Sequence, residues 1–307
     1  MLLLVAEFEP DEQAAWLAAL RVAMPLETIA ADVRNRSFVE VVLAANPAPG
    51  QLRELPNLRL VQSLWAGIDR LLADPDLPNV QLCRMVDPAM AETMAEAALA
   101  HVLWLHRGHD EYARAQSAGV WRQHAYVPPS SRKVGVLGLG VMGGVVARRL
   151  AETGFDVAAW TARPREGGPV PIVSGGDALP AFLARSEIIV NLLPLTPATM
   201  RLLDADAFAA MPAGSALVNL GRGQHVVEAD LHASLDAGQL RHAVLDVLAE
   251  EPVPPDHWAW RHPHVSLLPH VAAPSSPASC AAIVAENLAR LRDGRPLLHL
   301  VERGRGY

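Results

Sequence analysis

Arg222 stands between two glycines in Asn219-Leu220-Gly221-Arg222-Gly223, directly after the apolar run Ala216–Leu220. Flanking glycines leave a guanidinium fork unobstructed, which suits bidentate capture of a carboxylate. A solvated loop arginine has the same local sequence. Two further apolar runs end in polar groups placed where a small ligand would sit. Ala243–Val247 carries Asp246 and leads into Leu248-Ala249-Glu250-Glu251-Pro252. Val265–Leu267 leads into Leu268-Pro269-His270-Val271-Ala272-Ala273. Twelve histidines are present, so a single one carries little weight by itself. His257, His262 and His264 lie close together, but prolines break that stretch and no cysteine joins it, so no metal site is expected.

These groups need a fold to position them, and the clearest pointer to it is Gly138-Leu139-Gly140-Val141-Met142-Gly143. It follows a strand-like run, Lys133–Leu137, and precedes Val145-Val146-Ala147-Arg148-Arg149-Leu150, which has helical spacing. Strand, glycine turn and helix form the setting in which this pattern binds a dinucleotide. The first Gly allows the tight turn, the second admits the pyrophosphate to the backbone, and the third lets helix and strand pack closely. A glycine turn that only packs is the competing reading. The second strand ends Trp160-Thr161-Ala162-Arg163-Pro164-Arg165, without the acid that holds a ribose 2′-hydroxyl in NAD-binding folds. Thr161 can donate a hydrogen bond, and Arg163 and Arg165 can neutralise a 2′-phosphate, so NADP is the expected cofactor, NADPH being preferred over NADH.

The elements around these motifs alternate. Leu2–Ala6, Val39–Ala44, Leu58–Ser63 and Val80–Cys83 are predicted strands, with helical stretches such as Glu12–Val22 between them. A long Ala- and Leu-rich helical segment is predicted from Pro88 to about Ala118. A second set of strands follows at Lys133–Leu137, Val157–Trp160, Ile188–Leu192, Ala216–Leu220, Ala243–Val247 and Val265–Leu267. The expectation is an α/β protein with two doubly wound parallel-sheet domains. The Rossmann-type nucleotide domain (99–273) would interrupt a discontinuous, flavodoxin-like substrate domain (1–98 plus 274–307), to which the last helical stretch, Pro277–Arg292, returns. A ligand cleft is expected between the two.

Composition bounds the partners. The 307 residues carry a net charge of −7 with both signs scattered, which offers no basic stripe for nucleic acid. Cys83 and Cys280 make no disulfide framework, which suits a reducing cytoplasm. The first residues read as a buried strand rather than a secretory signal, and no apolar run reaches membrane-spanning length.

The order Arg222, Glu251, His270, taken with the fingerprint, resembles the D-isomer-specific 2-hydroxyacid dehydrogenase family. The likeness extends over essentially the whole chain. It includes Ser63-Leu64-Trp65-Ala66-Gly67-Ile68-Asp69, Asn191-Leu192-Leu193-Pro194-Leu195-Thr196, Asn219-Leu220-Gly221-Arg222-Gly223, Leu245-Asp246-Val247 with Glu251-Pro252, and Pro269-His270-Val271-Ala272-Ala273. The closing Arg305-Gly306-Tyr307 and the NADP-type second strand look most like the glyoxylate/hydroxypyruvate reductase A subgroup. The resemblance implies NADPH-dependent reduction of small 2-oxo acids such as glyoxylate and hydroxypyruvate to glycolate and D-glycerate. It makes Arg222 the binder of the substrate carboxylate and carbonyl oxygen, His270 the proton donor, and Glu251 the support of its imidazole. Asp246 would anchor the nicotinamide side, and the backbone at Leu193, Pro194, Leu220 and Gly221 would line the cofactor.

On the substrate side, the resemblance gives the amides of Ala66, Gly67 and Ile68 to the carboxylate. Trp65 stands where many members have a small residue. It reads either as a wall that limits substrate size or as a packed aromatic. The resemblance also implies a homodimer, with Trp121 reaching toward the neighbouring subunit's site or else capping its own helix. A dinucleotide-sensing regulatory protein of the same fold is the alternative, as is a family dehydrogenase for another acid.

Overall fold

Strands such as Val41–Ala45 and Ile188–Asn191, apolar but for the closing Asn191, are buried from end to end, as strands covered on both faces require. A computed structural model describes residues 1–305; Gly306 and Tyr307, from the terminal tripeptide read above, lie outside the described residues. Contacts divide the chain into two compact units, Met1–Met90 with Ser275–Tyr307, and Ala91–Pro274.

The first unit contains β1 (Leu2–Ala6), α1 (Pro10–Ala23), β2 (Ile29–Ala30), β3 (Val41–Ala45), β4 (Leu60–Ser63), α2 (Asp69–Leu72) and β5 (Gln81–Cys83). Its sheet runs β2-β1-β3-β4-β5, parallel throughout. Period-two alternation sorts the side chains between its faces. Leu2, Leu4, Val41 and Leu43 point to the side that holds Trp16 and Leu20 of α1, together with Cys280, Val284 and Leu288 of the last helix. Leu3, Val5, Val42 and Ala44 point to the other, under Leu52, Leu55 and Leu71. The last helix, α9 (Pro277–Asp293), thus returns to the sheet on which the chain began.

The second unit contains most of α3 (Pro88–His106), then α4 (His109–Ser117), β6 (Lys133–Leu137), α5 (Val141–Glu152), β7 (Asp156–Thr161), β8 (Ile172–Ser174), α6 (Leu179–Arg185) and β9 (Ile188–Asn191). The order continues with α7 (Ala205–Ala210), β10 (Ser215–Asn219), α8 (Glu228–Asp236), β11 (Leu240–Leu245) and β12 (Val265–Leu267). Its seven strands lie in the order β12-β11-β10-β9-β6-β7-β8, again all parallel. The order reverses between β6 and β9, which opens a crevice at their C-terminal ends. Helices α3 and α5 cover one face through Ala98, Val102, Val146 and Leu150. Helices α6, α7 and α8 cover the other through Phe182, Phe208 and Leu231.

Three details differ from the sequence expectation. Edge strands β2 and β8 were not predicted, being two and three residues long. The segment predicted as one helix from Pro88 to Ala118 is two helices. Gly108 between them takes φ 67°, a left-handed conformation in which the α-helix cannot continue. Among the described residues no helix is long and apolar enough to cross a membrane.

Candidate active site

Register places the start of every relevant loop in one row. Leu137, Asn191, Asn219, Leu245 and Leu267 pair successively across the sheet. The loops that leave this row carry the glycine turn, Leu193-Pro194, Gly221-Arg222, Asp246 and His270. Residues far apart in the chain therefore leave the same edge of one sheet.

The glycine turn is built to bring backbone to a ligand. Gly138 takes φ 94°, and a Cβ there would lie 2.9 Å from the Leu192 carbonyl oxygen. A Cβ on Gly143 would meet the Gly138 carbonyl oxygen at 2.0 Å, so a side chain at that position is excluded by helix–strand packing. Gly140 caps α5 without a side-chain hydrogen bond, and a Cβ there would meet nothing within 4 Å. Among the described residues the first amides of α5, from Val141 and Met142, have no acceptor, and they lie at the positive end of the helix dipole. That arrangement fits a pyrophosphate.

At the end of β7, Thr161 Oγ1 donates to the Arg163 carbonyl oxygen at 2.8 Å and lies 2.9 Å from Ser174 Oγ. Its proton is thus committed to shaping the turn. Arg165 donates to the Leu139 carbonyl oxygen in the glycine turn. Arg163 is exposed beside them.

Across the crevice, His270 Nδ1 and Glu251 Oε2 are 2.8 Å apart, while Glu251 Oε1 accepts from the Leu248 amide at 2.9 Å. The carboxylate is thereby fixed at both oxygens, and Nε2 of His270 is the ring nitrogen left to face a substrate. The Glu251 hydrogen bond raises the His270 pKa above the ordinary histidine value. Burial opposes this, the Glu251 charge adds to it, and the Arg222 guanidinium opposes it in part. Burial works to raise the Glu251 carboxyl, but hydrogen bonds from His270 and Leu248 and the charges of His270 and Arg222 carry it below the ordinary range. Arg222 therefore stands close enough to act electrostatically on both members of the pair. Its own fork is steadied by a 2.7 Å hydrogen bond to the Gly221 carbonyl oxygen.

Asp246 is buried, and its contacts go beyond what the sequence suggested. Its oxygens accept the amides of Val271 at 2.8 Å and Ala272 at 3.0 Å, and its carbonyl accepts the His270 amide at 2.9 Å. His270 itself has φ 54°, a left-handed conformation that a side chain with Cβ resists. The Asp246 carboxylate holds the backbone in that conformation.

A second buried polar group went unnoticed in the sequence. Asn191 Nδ2 donates to Asn219 Oδ1 at 2.8 Å and to His225 Nδ1 at 2.9 Å, and His225 Nε2 reaches the Pro194 carbonyl oxygen at 3.2 Å. Asn219 Nδ2 donates to the Arg222 carbonyl oxygen at 3.1 Å. This network ties the Leu193-Pro194 loop to the Arg222 loop and requires a neutral His225 with its proton on Nε2. Asparagine at the last position of both β9 and β10 was the available signal; His225 offered none.

In the first unit, Trp65 is half-buried at the end of β4. It makes edge contacts with Phe8 and Trp16 at centroid distances of 5.8 and 6.0 Å. Among the described residues the amides of Ala66, Gly67 and Ile68 have no acceptor, which leaves them available to an anion. In the second unit Trp121 is 97% exposed and lies three residues beyond Ala118, the C-cap of α4.

Residues 99–272 match the family model for D-isomer specific 2-hydroxyacid dehydrogenase, NAD binding domain. A D-isomer specific 2-hydroxyacid dehydrogenase from Xanthobacter autotrophicus Py2, solved with NADPH and MES, superposes with a TM-score of 0.94 at 37% identity over 100% of this chain and 99% of that one. The chain belongs to the D-isomer specific 2-hydroxyacid dehydrogenase family. An NADPH-dependent glyoxylate/hydroxypyruvate reductase from Sinorhizobium meliloti, solved with NADP and sulfate, gives a TM-score of 0.92 at 34% identity, again over 100% and 99% of the two chains. A probable 2-hydroxyacid dehydrogenase from Rhizobium etli CFN 42, solved with NADP, HEPES and L(+)-tartaric acid, gives 0.90 at 29% identity with the same coverage. Membership makes the chain an enzyme of oxidation and reduction at the 2-position of hydroxy and oxo acids.

Proposed function

We propose that this dehydrogenase reduces small 2-oxo acids, glyoxylate and hydroxypyruvate foremost, to glycolate and D-glycerate with NADPH. The observation that carries the reading is the 2.8 Å pair of His270 and Glu251 beside Arg222, at the sheet edge that also bears the glycine turn. The cofactor, when bound, supplies a hydride to the carbonyl carbon. Val141 and Met142 hold its pyrophosphate with their amides, and Leu193, Pro194, Leu220 and Gly221 line it. Arg163 and Arg165 attract a 2′-phosphate, while the Thr161 hydroxyl braces the turn that carries them.

Arg222 draws the substrate carboxylate and the carbonyl oxygen to its fork and stabilises charge that builds on that oxygen. His270, kept protonated by Glu251, releases the Nε2 proton to the same oxygen, and takes it back when the reaction runs in reverse. The amides of Ala66, Gly67 and Ile68 bind the substrate carboxylate as well, and Trp65, braced by Phe8 and Trp16, limits substrate size. The exposed Trp121 belongs to a homodimer interface, and the compartment is the cytoplasm.

A spectrophotometric panel of NADPH and NADH against glyoxylate, hydroxypyruvate, pyruvate and phenylpyruvate tests this proposal. Turnover should be fastest with NADPH and the two small acids. Cofactor binding without oxidation of either nucleotide would overturn it.

A further inference from the structure

Asp236 is the last residue of α8, where the helix dipole is negative and a carboxylate is unfavourable. Among the described residues its ion-pair partners are two imidazoles. His232 Nε2, one turn back on α8, lies 3.6 Å from Oδ2, and His262 Nε2, just before β12, lies 3.3 Å from Oδ1. One ligand atom from each of the three residues falls within 4.8 Å of the others. A tetrahedral site with bonds of about 2.0 Å has ligand atoms about 3.3 Å apart. The trio therefore needs only small side-chain rotations to close on an ion.

The rings are already oriented. Trp258 stacks on His232 at 4.5 Å with an interplanar angle of 11°, and meets His262 edge-on at 5.5 Å. Trp258 Nε1 donates in turn to Glu228 Oε2 at 3.3 Å. The His262 side chain is only 6% exposed, whereas that of Asp236 is 67% exposed, which leaves an entry path and a position for water.

The geometry points to a binding site for a zinc-class divalent transition metal formed by His232, Asp236 and His262. Two imidazoles and one carboxylate suit such ions, and the cation would complement both the acid and the helix terminus. The site is separate from the proposed chemistry. Both α8 and the segment before β12 end at the N-terminal edge of the sheet, and β12 runs from there to the loop of His270 at the opposite edge. Expecting no metal from sequence rested on chain neighbours of His262, whereas Asp236 joins it from 26 residues away. Uptake has one local consequence. His262 Nδ1 now accepts the His264 amide at 3.2 Å, and ligation through Nε2 moves the ring proton to Nδ1, so that this hydrogen bond must open.

The test is calorimetric titration of zinc chloride into the metal-free full chain, into His232→Gln and Asp236→Asn, and into His257→Gln as a neighbouring control. The two site variants alter half-exposed or exposed positions, and a thermal melt checks that they fold. The parent and the control should bind one equivalent, with zinc raising their melting temperature, and both site variants should lose that binding. In an amide NMR spectrum the His264 resonance should shift on loading of the parent. Absence of stoichiometric binding by the parent, or binding retained undiminished by both site variants, would overturn the assignment.

Discussion

Replacing Asp246 with Asn separates two roles for one carboxylate. If Asp246 chiefly anchored the nicotinamide side, Asn would weaken cofactor binding and leave the histidine in place. The structure assigns its oxygens to the amides of Val271 and Ala272. Asn can satisfy one of these through Oδ1, but its NH2 group opposes the other. A hydrogen bond to a charged group contributes about 1.5–3 kcal/mol, and leaving a buried amide without an acceptor costs about 1–3 kcal/mol. The left-handed conformation of His270 costs roughly 1–2 kcal/mol, which the remaining contacts then hold only marginally. The loop should therefore relax toward ordinary φ and carry the imidazole out of line.

At about 1.4 kcal/mol per decade, a loss of 1.5–3 kcal/mol corresponds to a kcat about 10- to 150-fold lower. The assay is steady-state reduction of glyoxylate, with cofactor affinity measured independently by fluorescence titration. Cofactor affinity should change by less than the fall in kcat, and the melting temperature should show that the variant folds. An unchanged kcat with strongly weakened NADPH binding would refute the reasoning and return Asp246 to the anchoring role alone.

Other outcomes follow from the same geometry. Glu251→Gln removes the carboxylate that raises the His270 pKa, so the reductive rate should fall off at lower pH than in the parent; a pH–rate profile that does not move would leave Glu251 a purely structural part. Arg163→Ala should raise the KM for NADPH far more than that for NADH, because Arg163 is exposed while Arg165 is engaged with Leu139; equal effects would remove the 2′-phosphate argument. Burial, and behind it the charges of Arg114, Arg241 and His264, lowers the His242 pKa from 6.5 to about 4 against the pull of Asp110. The folded state thus favours the neutral ring, and stability is complete above the unfolded value and lost as pH falls from about 6.5 toward about 4, by about 3 kcal/mol at most. His242→Gln should flatten that acid limb in thermal melts, and an equally steep limb would assign it to other groups.

What could be read from the sequence follows from burial. Strands such as Val41–Ala45 and Ser215–Asn219 are covered on both faces, so their apolar runs are continuous and bounded by turn residues. Edge strands β2 and β8 escape because two residues, of which only Ile29 is buried, and three half-buried ones leave no such run. The break at Gly108 escapes because apolar spacing persists on both sides, and one glycine in a helical pattern is a weak stop. Motif residues were legible as types: glycines that close packing demands, and an arginine between glycines.

Their meeting was not legible from spacing. It depends on the sheet register that sets Leu137, Asn191, Asn219, Leu245 and Leu267 side by side, and on parallel strands that all end at one edge. Given that row, any loop leaving it is brought to the same crevice whatever its distance in the chain. Residues that act by holding others then become visible through their partners: Asp246 through two amides, His225 through Pro194 and Asn191. The same holds at the opposite edge, where Asp236 at the end of α8 meets His262 before β12. In a parallel sheet, each side chain that flanks a strand is placed by the strand end it adjoins, which is why His262 before β12 and His270 after it stand at opposite edges.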